Sequence, residues 1–362
     1  MTKAAELAKM GEVLTNSQIG GRRNIVINGA MQVAQRGTSS TATLIQTVDR
    51  IRINTANTDE LAFTQSQSTT TPGQGFSNSF KFEVTTKENA LASDEFANIQ
   101  YRVEAQDLQP LAFGTSDAKK ITLSFWVRSS LAGKYSVLFY LVDDARSNTQ
   151  SFTIASADTW EYKTITLDGD TTGVIDNDNG AGLNISFILA AGDDYAGTPH
   201  SGWGAYSATD DNAFSDQVNF IAQTGTFYLT GLQLEIGSQA TPFEHRSFGE
   251  ELALCQRYFY KTQSDSTYDF FSNGVAISST LAYNGIALPC KMRSAPTLTT
   301  SGNLRNYRNG GSAITTIAIN HTSAYFCVLE CTSSGGGLTA GDGNLFGANN
   351  DADAAVMLSA EL

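Results

Sequence analysis

Proline is nearly missing from this 362-residue chain, with six in all, and cysteine and histidine are scarcer still, at four and three. So little proline, beside abundant Gly, Ser, Thr, Asn and Asp, favours many short strands joined by turns over a helical bundle. Cys255, Cys290, Cys327 and Cys331 form no CxxC pair and the histidines are scattered. A zinc site and a disulfide framework therefore lack their spacing patterns, and the cysteines read as buried reduced thiols. Positive charge is short as well. Against 36 Asp and Glu stand 23 Lys and Arg, a net charge of -13. With no basic excess to release counterions, nucleic acid, anionic membrane and acidic polymers are disfavoured as partners over broad surfaces, and only a local basic site stays open. No stretch approaches the roughly 18 apolar residues of a membrane span, and "MTKAAELAKM" has no apolar h-region. The expectation is a soluble protein without membrane insertion or Sec-type export. No glycine-rich phosphate loop opens a helix after a strand and no G-x-S-x-G occurs, so neither a cofactor nor an enzyme is expected.

What is present is apolar residue enough, 41%, to fill the cores of two domains or of one large sandwich with an appendage. Residues 3 to 15 carry Ala4, Leu7, Met10 and Leu14 at helical spacing, an amphipathic helix too short to stand alone in water. Gly20 and Gly21 break it. From Asn24 the period changes to two: "NIVINGAMQVAQRG", "FKFEV", "IQYRVEA", "ITLSFWVRS", "YSVLFYLVDD", "WEYKTITLDG", "LNISFILAAG" and "GTFYLTGLQLEIG" amount to about eight or nine strands before residue 240. The short spacings leave no room for crossover helices, which predicts an all-β, antiparallel jelly-roll sandwich over 25–246.

"FEHRSFGEELALCQRYF" joins that sandwich to the C-terminal third of the chain. Ser247 and Glu250 form an S-x-x-E capping box, and Phe248, Leu252, Cys255 and Phe259 continue at helical spacing, which predicts a linking helix over 247–261. Glu244, His245 and Arg246 crowd just before it, without a nucleophile at defined spacing, so Glu244, Arg246, Ser247 and Glu250 read as a structural joint and not as a catalytic cluster. A smaller β domain over 262–362 is expected from "DFFSNGVAISSTLAYNGIALPCKM", "PTLTTSG", "AITTIAIN", "AYFCVLECTS" and "AAVMLSAEL", with "SSGGGLTAGDGN" as an exposed loop.

Three motifs, "GGRRNIVINGAMQVAQRGTS" with "VDRIRI", "FYLTGLQLEIGSQATPFEHRSFGEELALCQRYFYK" and "LPCKMRSAPTLTTSG" running to a terminal "SAEL", resemble in order and spacing the fibre proteins of phages of marine bacteria and cyanobacteria. The resemblance covers nearly the whole chain. It implies a homotrimeric virion fibre, assembled in the host cytoplasm, with a sandwich similar to carbohydrate-binding modules. Residues 1–24 would attach it to other virion proteins, and the distal domain would meet a host-surface glycan or other receptor. Two departures accompany it. Ile51 follows Asp49 and Arg50 where family members often have an aromatic, and Thr230 and Gly231 stand in the last strand where such modules often place an acidic residue for a structural calcium. A capsid-borne fibre or decoration protein and a polysaccharide depolymerase are the alternative functions.

The residues suited to receptor contact are aromatics with nearby acceptors, because aromatic faces stack on the apolar side of sugar rings while carboxylates accept hydroxyl protons. Tyr268, Asp269, Phe270, Phe271 and Asp342 supply these in two distal loops, and Trp203 and Tyr206 in the long loop at 192–214, with Tyr195, Phe214, Asp193, Asp194, Asp210 and Asp211 alongside. "DNDNG" at 176–180 has the look of a calcium loop but lacks its closing Glu, so no metal is expected. Asp143 with Asp144, and Glu161 beside Trp160, could only serve as glycosidase acids at separations that sequence does not supply.

Overall fold

The alternation read along "ITLSFWVRS" becomes an alternation of faces: Ile121, Leu123, Phe125 and Val127 are buried in the core, while Trp126 and Arg128 turn outward and are only half-buried. The computed structural model describes Lys3, residues 23–307 and residues 312–362. Apart from Lys3, the amphipathic helix expected near the start lies outside the described residues, as does nearly all of the attachment segment. The chain divides into two units, one ending at Glu251 and one spanning Leu252–Glu361.

The first unit contains β1 (Ser39–Ser40), β2 (Ile51–Ala56), β3 (Ala62–Ser68), β4 (Ser79–Thr86), β5 (Phe96–Glu104), β6 (Ile121–Ser129), β7 (Gly133–Leu141), β8 (Arg146–Ile154), β9 (Glu161–Leu167), β10 (Ala181–Ala191), β11 (Ala196–Gly197), β12 (Gly204–Ala205), β13 (Ala213–Phe214) and β14 (Gly225–Ile236). Two six-stranded antiparallel sheets, ordered β1-β3-β4-β14-β6-β9 and β12-β8-β7-β10-β5-β2, make the sandwich. The chain passes repeatedly from one sheet to the other, the jelly-roll arrangement that the strand spacing predicts. Aromatic rings lock the two inner faces together: Phe125 meets Phe187 with centroids 5.0 Å apart, and Tyr135 meets Phe227 at 5.6 Å. In β14 the register slips between Thr230 and Gln233, and Gly231 sits there at φ +63 with Phe76 packed 2.8 Å from where a Cβ would be. Glycine at this bulge, where the resemblance looks for an acidic ligand, answers a backbone need.

Three expectations change in detail. The segment around Asn24–Met31 is buried but is not a strand. It plugs the sandwich as irregular chain, and side chains satisfy its backbone. Asn24 Oδ1 accepts from the Val26 and Leu234 amides, Tyr101 Oη accepts from the Ile27 amide at 2.7 Å, and Asn28, at φ +60, brackets Val33 through both its amide atoms. "AFTQSQS" (β3) and "RSNTQSFTI" (β8) are strands that the apolar count passes over, because Phe63 in the first and Phe152 and Ile154 in the second are their only large apolar residues. The linking helix is shorter than 247–261. Helix α1 spans Phe248–Gln256, and Phe259 instead begins β15 (Phe259–Gln263), because the aromatic run "YFYKT" pairs with the last strand. The capping box itself forms: the Glu250 carboxylate accepts from the Ser247 amide at 2.9 Å, and the Glu250 amide donates to Ser247 Oγ at 3.3 Å.

The second unit continues with β16 (Phe270–Ala276), β17 (Leu281–Ala287), β18 (Thr297–Ser301), β19 (Leu304–Tyr307), β20 (Ser312–Thr322), β21 (Phe326–Ser333), β22 (Gly343–Ala348) and β23 (Ala355–Ser359). Six of these, in the order β16-β17-β21-β20-β19-β22, close into a barrel, while β15-β23-β18 form a small separate sheet. Inside the barrel Asn284, Asn306 and Asn344 bond one another at 2.9–3.1 Å. None of the four cysteines forms a disulfide, and Cys255, Cys327 and Cys331 are buried.

Candidate functional site

The second sheet of the sandwich carries a grid on its outer face. On β5 the inward residues are Ala97, Ile99, Tyr101 and Val103, so Asn98, Gln100 and Arg102 point the other way. Register then aligns three rows. Asn54 on β2 pairs with Asn98 and onward with Ile188 on β10; Arg52 pairs with Gln100, then Ser186, then Leu138 on β7; Arg102 pairs with Asn184, then Tyr140. Hydrogen bonds within the grid hold its side chains in place. Asn54 Nδ2 donates to Asn98 Oδ1 at 2.9 Å, Gln100 Nε2 to Ser186 Oγ at 3.0 Å, and Arg102 Nε to Gln100 Oε1 at 2.7 Å.

Two aromatic pairs flank this floor. Tyr140 meets Tyr206 edge to face at 4.8 Å, with Leu138 and Ile188 beneath, and Phe96 meets Tyr195 at 5.1 Å. Together they bound a groove of about 530 Å³. Preset amide and hydroxyl groups beside aromatic faces suit a ligand that has many hydroxyls and an apolar side, which is what a sugar ring presents. Burial is the first cause of an upward shift of the Tyr206 phenol, which keeps it a neutral donor to Asn212 Oδ1 at 3.0 Å.

The long loop expected to make contacts therefore splits its residues. Tyr206 and Tyr195 line the groove. Trp203 does not: it packs edge-on against Phe113 at 5.7 Å and donates its indole N–H to the Asp168 carbonyl at 2.8 Å, beside a second, more polar depression. Phe214 lies under the Lys134 ammonium at 4.0 Å. Of the loop acids, Asp211 is buried and accepts from the Ser207 amide, Asp194 accepts from Ser93 Oγ, and Asp210 from Ser207 Oγ. The second depression holds Arg146, whose fork is taken up by Asp170 at 2.6 and 3.1 Å.

Asp170 makes a pH prediction. Burial by itself raises its pKa, but Arg146 and the Thr172 and Gly173 amides outweigh that and hold the carboxyl below the ordinary range. A group with a depressed folded pKa stabilises above its unfolded value, about 3.9, and that stability is lost as pH falls through the folded value. Asp170→Asn should cost about 1.5–3 kcal/mol at pH 7, as for other charge-assisted bonds. The gap in melting temperature between variant and wild type should close below about pH 4; a gap independent of pH would mean that the carboxylate charge contributes nothing.

The distal candidates are not gathered into one surface. Tyr268 and Phe270 are half exposed, and Phe270 rests edge-on against Tyr307 at 4.8 Å. Phe271 packs on buried Phe346, and the Asp269 carboxylate accepts from the Asp265 amide. Asp342 sits elsewhere: its carbonyl accepts from Ala276, at the far end of β16 from Phe270. Because β16 and β22 are antiparallel, pairing Phe270 with Gly347 and Val275 with Gly343, the two candidate loops lie at opposite ends of that strand pair, roughly 15–20 Å apart.

The remaining acids stand apart from the groove. Asp143 accepts from the Asp176 amide, and burial followed by neighbouring carboxylates pushes it up, whereas Glu161 accepts from Ala155, Ser156 and Lys163. Among the described residues no three His, Cys, Asp or Glu side chains cluster in a way that could hold a metal, and no helix is long and apolar enough to cross a membrane. His245 packs between Phe76 and Phe243, at 5.1 and 4.9 Å, and Glu244 and Arg246 bond the chain around Asn24.

Sequence reasoning passed over the grid itself, although its signal was present: Arg52 and Asn54, then Asn98, Gln100 and Arg102, then Asn184 and Ser186, occupy alternate positions of otherwise apolar strands.

No protein-family model matches the chain, and no curated protein matches it. Among solved structures it is similar to the enzymatically active domain of tailspike protein 4 of bacteriophage CBA120, with a TM-score of 0.33 and 11% identity over 59% of this chain and 22% of that one. It is also similar to the family 11 carbohydrate-binding module of Clostridium thermocellum in complex with a mixed-linked tetrasaccharide, with a TM-score of 0.28 and 13% identity over 56% of this chain and 98% of that one. The N-terminal cellulose-binding domain of Cellulomonas fimi β-1,4-glucanase C gives a TM-score of 0.27 and 12% identity over 58% and 99%.

Proposed function

We propose that this protein is a virion fibre component that holds a phage to its host by binding surface glycan, and that the outer groove of the sandwich is the reading face. The observation that carries the glycan reading is the groove: a hydrogen-bonded ladder of Asn54, Asn98, Gln100 and Ser186 between the Tyr140–Tyr206 and Phe96–Tyr195 pairs. The fibre role, the homotrimer and the N-terminal attachment are supported by the order and spacing of the three sequence motifs. Several grooves on one particle would multiply a weak single-site affinity through effective concentration. Among the described residues that line the groove none is Asp or Glu, so it lacks the paired carboxylates of glycoside hydrolysis, which favours binding over cleavage.

In this reading recognition lies in the sandwich and not in the distal unit, where the sequence suggested it; in the distal unit Asp342 lies at the opposite end of its strand pair from Tyr268, Asp269, Phe270 and Phe271. The test is host-polysaccharide binding by the full-length protein. Gln100→Ala removes a bond to Ser186 and frees Arg102 Nε, and should weaken binding about tenfold, while Tyr268→Ala should leave it unchanged. The reverse pattern would return recognition to the distal loops. Light scattering should give a trimer mass at micromolar concentration, and a monomer would remove the fibre architecture.

A further inference from the structure

The groove is basic on an acidic protein. The chain carries a net charge of -13, yet no described lining residue of the groove is acidic and two are arginines, Arg52 and Arg102. Their positions are set by register. Arg52 stands opposite Gln100, and Arg102 is two residues further along the same strand, so the two are diagonal neighbours with roughly 7–8 Å between their backbones. Each spends its Nε on a neutral amide oxygen, Arg52 on Asn54 Oδ1 and Arg102 on Gln100 Oε1 at 2.7 Å. A third guanidinium, Arg50, approaches from behind and donates to the Arg102 carbonyl at 2.6 Å.

Arg50 also lies over the Tyr101 ring, 5.5 Å from its centroid, so three guanidinium groups gather at this end of the strand pair. Burial first, then Arg52 and Arg50, bring the Arg102 pKa down to about 10. An anion placed between the two groove arginines would reverse that unfavourable field. A guanidinium fork matches the oxygens of a carboxylate or a sulfate, and in a half-buried site the pairing is strengthened. The net charge of -13 disfavours the same ligand over broad surfaces, so contact depends on a local basic site such as this one.

We propose that the groove selects an acidic polysaccharide, one whose rings carry carboxylate or sulfate groups, with Arg102 and Arg52 as its anion-binding pair and the tyrosine wall receiving the ring faces. This rests on the reading of the groove as the glycan site. It narrows the expectation drawn from net charge, which disfavours acidic polymers over broad surfaces but not at a local site.

The experiment is titration calorimetry of the full-length protein with sodium alginate, dextran sulfate and uncharged dextran at about 0.15 M salt. One of the two anionic polymers should bind at least tenfold more tightly than dextran. Preference for alginate identifies a carboxylate ligand and preference for dextran sulfate a sulfate. Arg102→Gln and Arg52→Gln should each weaken that binding about tenfold, near 1.4 kcal/mol, with Arg102→Lys retaining more of it. Arg128→Gln, a change on the other sheet beside Tyr228, should have no effect. Melting temperatures of all variants check that they fold. Tighter binding of dextran that survives Arg102→Gln but is lost on removing Tyr140 and Tyr206 would overturn the anionic ligand and keep the groove. Binding to none of the polymers, with host attachment unaffected by the tyrosine and arginine changes alike, would overturn both.

Discussion

Arg246→Ala should cost the sandwich unit about 3–5 kcal/mol, the range for removing one partner of a buried charge network. For a domain of this size that is a fall of roughly 10 °C in melting temperature. One guanidinium serves three chain segments. Its Nη1 donates to the Val26 carbonyl at 3.2 Å and to Glu251 at 2.7 Å; its Nη2 donates to the Asn24 carbonyl and to Glu244 at 2.9 Å. Arginine and glutamates alike are largely shielded, at 10% exposure for the Arg246 side chain against 5% for Glu251 and 23% for Glu244. Without the cation two carboxylates in a water-poor site lose their shared counter-charge, and two carbonyls of the buried plug lose the Arg246 donor.

Glu244 ties the same plug from the other side. Burial alone would raise its pKa, but the Asn24 and Arg23 amides and Arg246 together keep it low. Arg246→Lys keeps the charge but not the fork, and should lose an intermediate amount. Chemical denaturation of the full-length protein is the measurement. An unchanged midpoint, or a loss of host binding with melting and assembly intact, would show that Arg246 is a contact residue and not a joint.

The double change Tyr140→Ala and Tyr206→Ala should lower glycan affinity about 100-fold, near 2.7 kcal/mol. Both rings border the groove and meet edge to face, so each holds the other at the angle that presents a wall to a sugar. Tyr206→Phe keeps the ring and gives up only the bond to Asn212, and should retain most of the affinity. The loop that carries Tyr206 also leans on this contact, so melting temperature must be followed beside binding. Loss of affinity only in step with loss of stability would reduce the pair to loop support. Unchanged affinity in the folded double variant would remove the groove as the site.

Much was decided by the sequence alone. Period-two alternation in "ITLSFWVRS" and "LNISFILAAG" required strands with one buried face, and the short spacings required antiparallel neighbours, because the local pleat is a property of consecutive residues. The capping box at Ser247 and Glu250 was equally local, and so readable. Propensity misled only where tertiary demand overrode it. "NIVING" alternates like a strand, yet its donors and acceptors are taken by Asn24, Asn28 and Tyr101 and by Leu232 and Leu234 of the last sandwich strand, so it is a plug. Which residues meet across the sheet lay beyond the reach of spacing. Arg52, Gln100, Ser186 and Leu138 share a row because β2, β5, β10 and β7 are neighbours in space and not in order, and Arg246 finds Asn24 across 222 positions. The chain's own pattern told which side chains faced outward. Only strand order and register, set by the packing of two complete inner faces, placed polar ladder, arginines and tyrosine wall in one groove.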